Sequence, residues 1–180
     1  MIVRKGFTLV EMTVVMAIVA ILSLVGVYAL ITARNDAAVD SATQSTVSAI
    51  REAQNKAISV ANVPGDSTPP VAWGVFVNSS TSAIQPFYIK KDLSYNIAGL
   101  SETKFAISSI SASGYYVFSA PFGKYYSSDD PPDNTHWVMN LDRPKDAIFN
   151  GTAAPNTFTI NLKGSQRTIT IDTKGDVSVQ

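Results

Sequence analysis

The sequence predicts an α+β protein: one long N-terminal helix, apolar in its first half and amphipathic in its second, packed on an antiparallel β-sheet head. Three observations predict it. Residues 12–31 carry no charged side chain, a run long enough to cross the roughly 30 Å of a bilayer's hydrocarbon as a helix. Beyond it, small and apolar residues recur at helical spacing as far as Val60. After Pro64 the pattern changes to short aromatic and β-branched runs divided by turn residues.

The apolar segment opens the chain. Arg4 and Lys5 stand just before it, which places the N-terminus on the cytoplasmic side by the positive-inside rule. Gly26 is its one weak helical position, costing about 1 kcal/mol relative to Ala. Glu11 is the anomaly, because a carboxylate at such a place costs about 2.5–3.5 kcal/mol even on lenient insertion scales. A cleaved signal peptide ending at Ala33 is one reading, with Ile31-Thr32-Ala33 as the small-residue site. An uncleaved signal anchor carrying an adhesin or ligand-binding module is another. Neither accounts for Glu11.

The stretch "KGFTLVE", residues 5–11, resembles the prepilin signature of type IV pilins and the related pseudopilins of type II secretion: a short basic leader ending in Gly, then Phe, then Thr-Leu-Val-Glu, then an apolar run. The resemblance implies that residues 1–6 are a leader and that a prepilin peptidase cuts between Gly6 and Phe7. Phe7 then becomes the N-terminus and is methylated on its amine. Residues 7–33 remain as the transmembrane and filament-core half of the helix, residues 34–63 form its amphipathic half, and residues 64–180 form the head of a lollipop-shaped subunit. The implied partners are other pilin subunits, the peptidase, a membrane assembly platform and the cytoplasmic membrane. The implied route runs from single-pass precursor to extracytoplasmic filament, with adhesion, motility, DNA uptake or protein secretion as outputs.

Glu11 then has a physical role. Cleavage after Gly6 frees an ammonium within one helical turn of this carboxylate, and in a low-dielectric setting each charge strongly favours a partner. The amine of an incoming subunit can pair with Glu11 of its neighbour. Such a buried pair adds little net energy, but a missing partner is heavily penalised, so the pair enforces register.

Past Ile31 the apolar run gives way to Arg34-Asn35-Asp36 and helical periodicity. Val39, Ala42, Thr46, Ala49, Ile50, Ala53, Ala57 and Val60 form one narrow stripe, while Gln44, Ser48, Arg51, Glu52, Asn55 and Lys56 occupy the other face. Turn chemistry at Asn62, Pro64 and Gly65 places the end near Ala61. The expected helix, from about Phe7, is then roughly 80 Å long.

In the head, strands are expected at residues 71–77, 87–90, 104–110, 115–119 and 137–141. Three final segments alternate cleanly around Phe158, Ile160 and Leu162, then Ile169 and Ile171, then Val177 and Val179. Turns at "KGSQ" and "TKGD" separate them, so the C-terminus reads as an antiparallel meander with one wet face. Its end, "ITIDTKGDVSV", resembles the C-terminal part of H-type pseudopilins and their minor-pilin relatives, which favours a sheet packed on the helix.

Fourteen basic and fourteen acidic residues cancel, which argues against a general nucleic-acid or polybasic membrane-surface binder. Loss of Arg4 and Lys5 would leave the mature chain mildly acidic. The absence of cysteine excludes disulfides, thiolate metal sites and cysteine nucleophiles. A single histidine, His136, cannot supply a conventional zinc site, and no nucleophile elbow, Walker A or dinucleotide fingerprint occurs. No cofactor and no enzymatic activity are expected. In "SSDDPPDNTH", Asp129, Asp130, Asp133 and Asn134 cluster oxygen ligands suited to calcium, and some pseudopilins hold calcium in a late loop. The spacing matches no EF-hand, and a solvated acidic loop is the simpler reading. Lys163, Arg167 and Lys174, near the two C-terminal turns, are candidates for a small DNA-binding patch of the kind certain minor pilins carry. Tyr125 and Tyr126 in "FGKYYSS" suit either an adhesive surface or ordinary packing.

Overall fold

A computed structural model describes residues 8–63, 67–91, 94–97, 100–107, 109–120, 123–128, 137–139, 147–149 and 156–180. Helix α1, Leu9–Ile58, is 50 residues long, about 75 Å. It is followed by β1 Ala72–Asn78, β2 Ala83–Ile89, β3 Tyr95–Asn96, β4 Thr103–Lys104, β5 Ser109–Ile110, β6 Gly114–Ser119, β7 Lys124–Ser128, β8 Trp137–Met139, β9 Ala147–Phe149, β10 Thr157–Leu162, β11 Ser165–Ile171 and β12 Val177–Val179. The architecture is the expected α+β arrangement of one long helix and antiparallel sheets.

The helix changes character along its length. Every residue from Thr8 to Arg34 is exposed, and burial begins at Asn35. From there Val39, Ala42, Thr43, Thr46, Val47, Ile50, Ala53 and Ala57 are buried. The expected stripe was narrower: Thr43 and Val47 broaden it, and Ala49 packs only at its margin.

The helix also ends earlier than the turn residues suggest. Val60 N donates to Ala57 O at 3.2 Å and Ala61 N to Lys56 O at 2.9 Å, the paired bonds of a Schellman stop. Val60 sits just past the cap with φ 51 and is exposed, so it does not belong to the buried stripe. A β-branched residue in the left-handed region is strained, and the two bonds that it closes hold it there.

Two sheets share the amphipathic half of α1. The larger has strand order β3-β2-β1-β6-β7, with β4 also paired to β2; the smaller runs β12-β11-β10-β5. Trp73 and Val75 of β1, Tyr116 and Phe118 of β6, Phe158 and Ile160 of β10, and Ile169 and Ile171 of β11 join the helix residues in one core. The larger sheet is apolar on its outer face too, where Ala72, Phe87, Ile89 and Val117 are buried and the Phe76 and Tyr115 rings stack at 4.3 Å. That double burial explains the unbroken apolar reading of "VAWGVFV".

The C-terminal meander forms as expected, with Thr157 opposite Thr170 and Ile169 opposite Val179. Lys163 (φ 47) and Gly164 (φ 96) make the two-residue hairpin turn between β10 and β11, the left-handed pair that matches strand twist. Elsewhere the strand boundaries differ from expectation. The run at residues 104–110 is not one strand: β4 pairs with β2 in the larger sheet and β5 with β10 in the smaller. β2 begins at Ala83, not Phe87, and contains Pro86. Lys90 N donates to Ser94 O, so alternation turns the Pro86 nitrogen toward the same edge, into the gap between β3 and β4, where no ladder bond is lost. The expected segment at residues 137–141 contains β8, paired with β9.

Candidate functional site

The sequence places the candidate site at the entry of α1, and its described geometry starts at Thr8. Thr8 is the N-cap of α1, in extended conformation (φ −79, ψ 154), and its Oγ1 accepts from Glu11 N at 3.3 Å. Thr8-Leu9-Val10-Glu11 is a capping-box sequence, in which the acidic residue stands at the third helical position. The helix's unpaired N–H groups make that end partially positive, and a carboxylate in the first turn is favoured there. Glu11 is thus held in the first turn, exposed, by the residue that starts the helix. Thr8 was not singled out from the sequence, although the Thr-x-x-Glu spacing carries the signal. Gly6 and Phe7 lie outside the described residues.

Behind this entry α1 is long and apolar enough to cross a membrane by length and composition, and its most apolar window is wholly exposed. Among the described residues, none of the head covers it. Residues 1–27 match the prokaryotic N-terminal methylation motif. The chain carries a prepilin-type methylation motif. The match supports the type IV pilin and pseudopilin family, and with the apolar helix it supports prepilin cleavage and methylation and a membrane-anchored precursor. It spans the entry segment and the first turns of α1, and leaves the subtype and the head unassigned. No curated relative and no solved structure matches the chain.

The other candidate residues scatter. Arg167 lies within β11 and its Nε approaches Asp40 Oδ1 of α1 at 2.9 Å, a half-exposed ion pair joining sheet to helix. Lys163 sits at the β10–β11 turn and Lys174 at the β11–β12 turn, opposite ends of a seven-residue strand, about 20 Å apart along it. The three cations do not form one patch, and the middle one is engaged by a carboxylate. Around Lys174 the turn is organised by Asp172, whose Oδ1 accepts from Lys174 N at 2.8 Å and Asp176 N at 2.9 Å. Its carboxyl is held below the ordinary value of 3.8, first by the Asp176 main-chain bond and then by the Lys174 amide and charge.

Tyr125 and Tyr126 fall on β7 and face opposite sides of the larger sheet. Tyr125 packs against the main core and Tyr126 against the outer cluster. Tyr125 donates to Asn156 Oδ1 at 3.1 Å. Burial pushes its hydroxyl up to about 12, helped by the Asp172 charge and opposed by a hydrogen bond with Ser127. Asp129, Asp130, Asp133, Asn134 and His136 lie outside the described residues.

Proposed function

We propose that this chain is a structural subunit of a type IV pilus or a type II secretion-like filament. A prepilin peptidase removes residues 1–6, Phe7 is N-methylated, and residues 7–33 hold the precursor in the cytoplasmic membrane. An assembly platform then extracts the subunit, and the apolar helix halves of successive copies bundle into the filament core. The observation that carries this reading is the direct run of the methylation motif into a helix half whose every described residue is exposed in the single chain. Such a surface needs lipid or copies of itself around it.

Glu11 is the docking residue in this scheme. In lipid the lone carboxylate costs about 2.5–3.5 kcal/mol, and pairing with the freed amine of a neighbouring Phe7 offsets that cost on assembly. Thr8 keeps Glu11 in the first turn of the helix.

Mass spectrometry of the mature N-terminus tests the processing step. The expected species begins at methyl-Phe7; a chain beginning at Arg34 would instead mark a cleaved signal peptide, and one beginning at Met1 a plain anchor. Gly6→Ser is expected to block processing. Glu11→Ala is expected to leave a processed, membrane-held subunit that fails to enter filaments, and undiminished filament yield would overturn the role given to Glu11.

A further inference from the structure

The smaller sheet has a free edge beside a groove. Thr168 and Gln180 exchange both main-chain bonds at 2.9 Å, and Asp172 N donates to Asp176 O at 3.0 Å. In an antiparallel ladder this alternation turns the N–H and C=O of Ser178 and Gln180 toward β11, and those of Val177 and Val179 away from it. β12 is the terminal strand of its sheet, so the outward groups of Val177 and Val179 have no partner among the described residues. They are two residues apart, about 6.7 Å, the repeat of an extended backbone.

Beside this edge a groove of about 840 Å³ runs along α1, lined by Thr43, Val47, Ser48, Arg51 and Asn55 on the helix and by Val179 on the sheet. One of its buried polar groups is unsatisfied, and one of its exposed cations has no ion-pair partner, among the described residues. The Thr43 hydroxyl, on a residue only 3% exposed, makes no hydrogen bond, and a buried polar group of that kind calls for a partner. Arg51 meets no carboxylate, whereas Glu52 is taken by Lys56 at 2.7 Å and Asp40 by Arg167 at 2.9 Å. Arg51 is therefore the one cation lining the groove without a carboxylate partner among the described residues.

We propose that this groove receives an extended strand from another protein, added to the free edge of β12, with an acidic side chain meeting Arg51. A strand at the normal inter-strand distance of about 4.8 Å from β12 lies over the polar face of α1. Its main chain satisfies Val177 and Val179, and its alternate side chains reach Thr43, Val47 and Arg51. A second copy of this chain pairing β12 with β12 about a two-fold axis would bring two Arg51 guanidinium groups into one cleft, so charge selects a foreign, acidic segment. The proposal stands apart from filament assembly through the apolar helix half and does not depend on it.

The test uses the full chain in detergent micelles and a blocked seven-residue peptide of alternating threonine and valine with a central aspartate. The expected result is saturable binding by fluorescence anisotropy, with the amide resonances of Val177 and Val179 among those most shifted. Val179→Pro removes an outward N–H that the β11–β12 ladder does not use, and is expected to weaken binding about tenfold with the unfolding midpoint retained. A peptide N-methylated at alternate residues is expected to lose at least as much. Arg51→Glu is expected to shift preference from the aspartate peptide to a lysine peptide by about tenfold or more. The proposal is overturned by equal binding of the N-methylated peptide, by an absence of saturable binding up to about 1 mM, or by self-association of the chain that Val179→Pro abolishes.

Discussion

The two halves of α1 are one continuous helix made under opposite rules. From Thr8 to Arg34 the residues are almost all apolar and all exposed; from Asn35 onward the helix is far more polar, and most of its apolar positions are buried. An isolated soluble helix needs one apolar stripe of the second kind. The first half has no stripe, since it is apolar all round, and that pattern belongs to a segment whose surroundings are lipid or other helices. Sequence continuity thus carries two environments on one rod, with Arg34-Asn35-Asp36 as the junction.

The comparison is most severely tested by matched truncations. Ile50, wholly buried, is expected to cost about 2–5 kcal/mol of head stability when changed to Ala. Leu22, 65% exposed, is expected to change head unfolding by less than about 0.5 kcal/mol on the same change. Thermal unfolding in micelles reads both, and equal losses would erase the distinction between the halves. Next in size is Gly175→Ala. Gly175 has φ +89, and a Cβ there would meet Phe118 Cε1 at 2.8 Å and Tyr125 Cβ at 3.1 Å, so the change is expected to cost about 2–4 kcal/mol.

Alkaline titration separates the halves by chemistry. Tyr125 in the head ionises at about 12 when folded against 10.0 ordinarily, so the folded state holds its proton more tightly. Its contribution is fully present below pH 10 and is lost as pH rises toward 12. Tyr125→Phe should flatten that alkaline loss in a pH series of unfolding midpoints. The smallest expected effect is Val60→Gly. Relief of the left-handed strain, set against the greater freedom of unfolded Gly, is expected to stabilise the head by about 0.5–1 kcal/mol. A denaturant midpoint that fell would show that Val60 contributes packing beyond its cap.

Much of this was legible in the residues because local rules and tertiary demand agreed. The apolar run is unbroken, the stripe beginning at Val39 and the alternation within each of the last three strands keep one period, and Lys163-Gly164 is the turn its hairpin needs. Legibility failed where a partner elsewhere decided the outcome. Pro86 is tolerated inside β2 only because β3 and β4 leave a gap opposite its nitrogen. Residues 104–110 divide because β2 and β10 each claim one end. Val60 looked like a further stripe position, yet the carbonyls of Lys56 and Ala57 draw the chain into a stop before it. The motif exposed Glu11 at once, while Thr8, its cap, was hidden because hydroxyl residues are common near membrane helices.

The seating of both sheets on one helix has a mechanical consequence. The same short stretch of rod, from about Val39 to Ala57, packs against β1 and β6 of the larger sheet and β10 and β11 of the smaller. A pull along the rod axis would load all four contacts in shear at once, with interdigitated side chains resisting together instead of peeling in turn. The head would slip off its stalk only by breaking both interfaces in a single event.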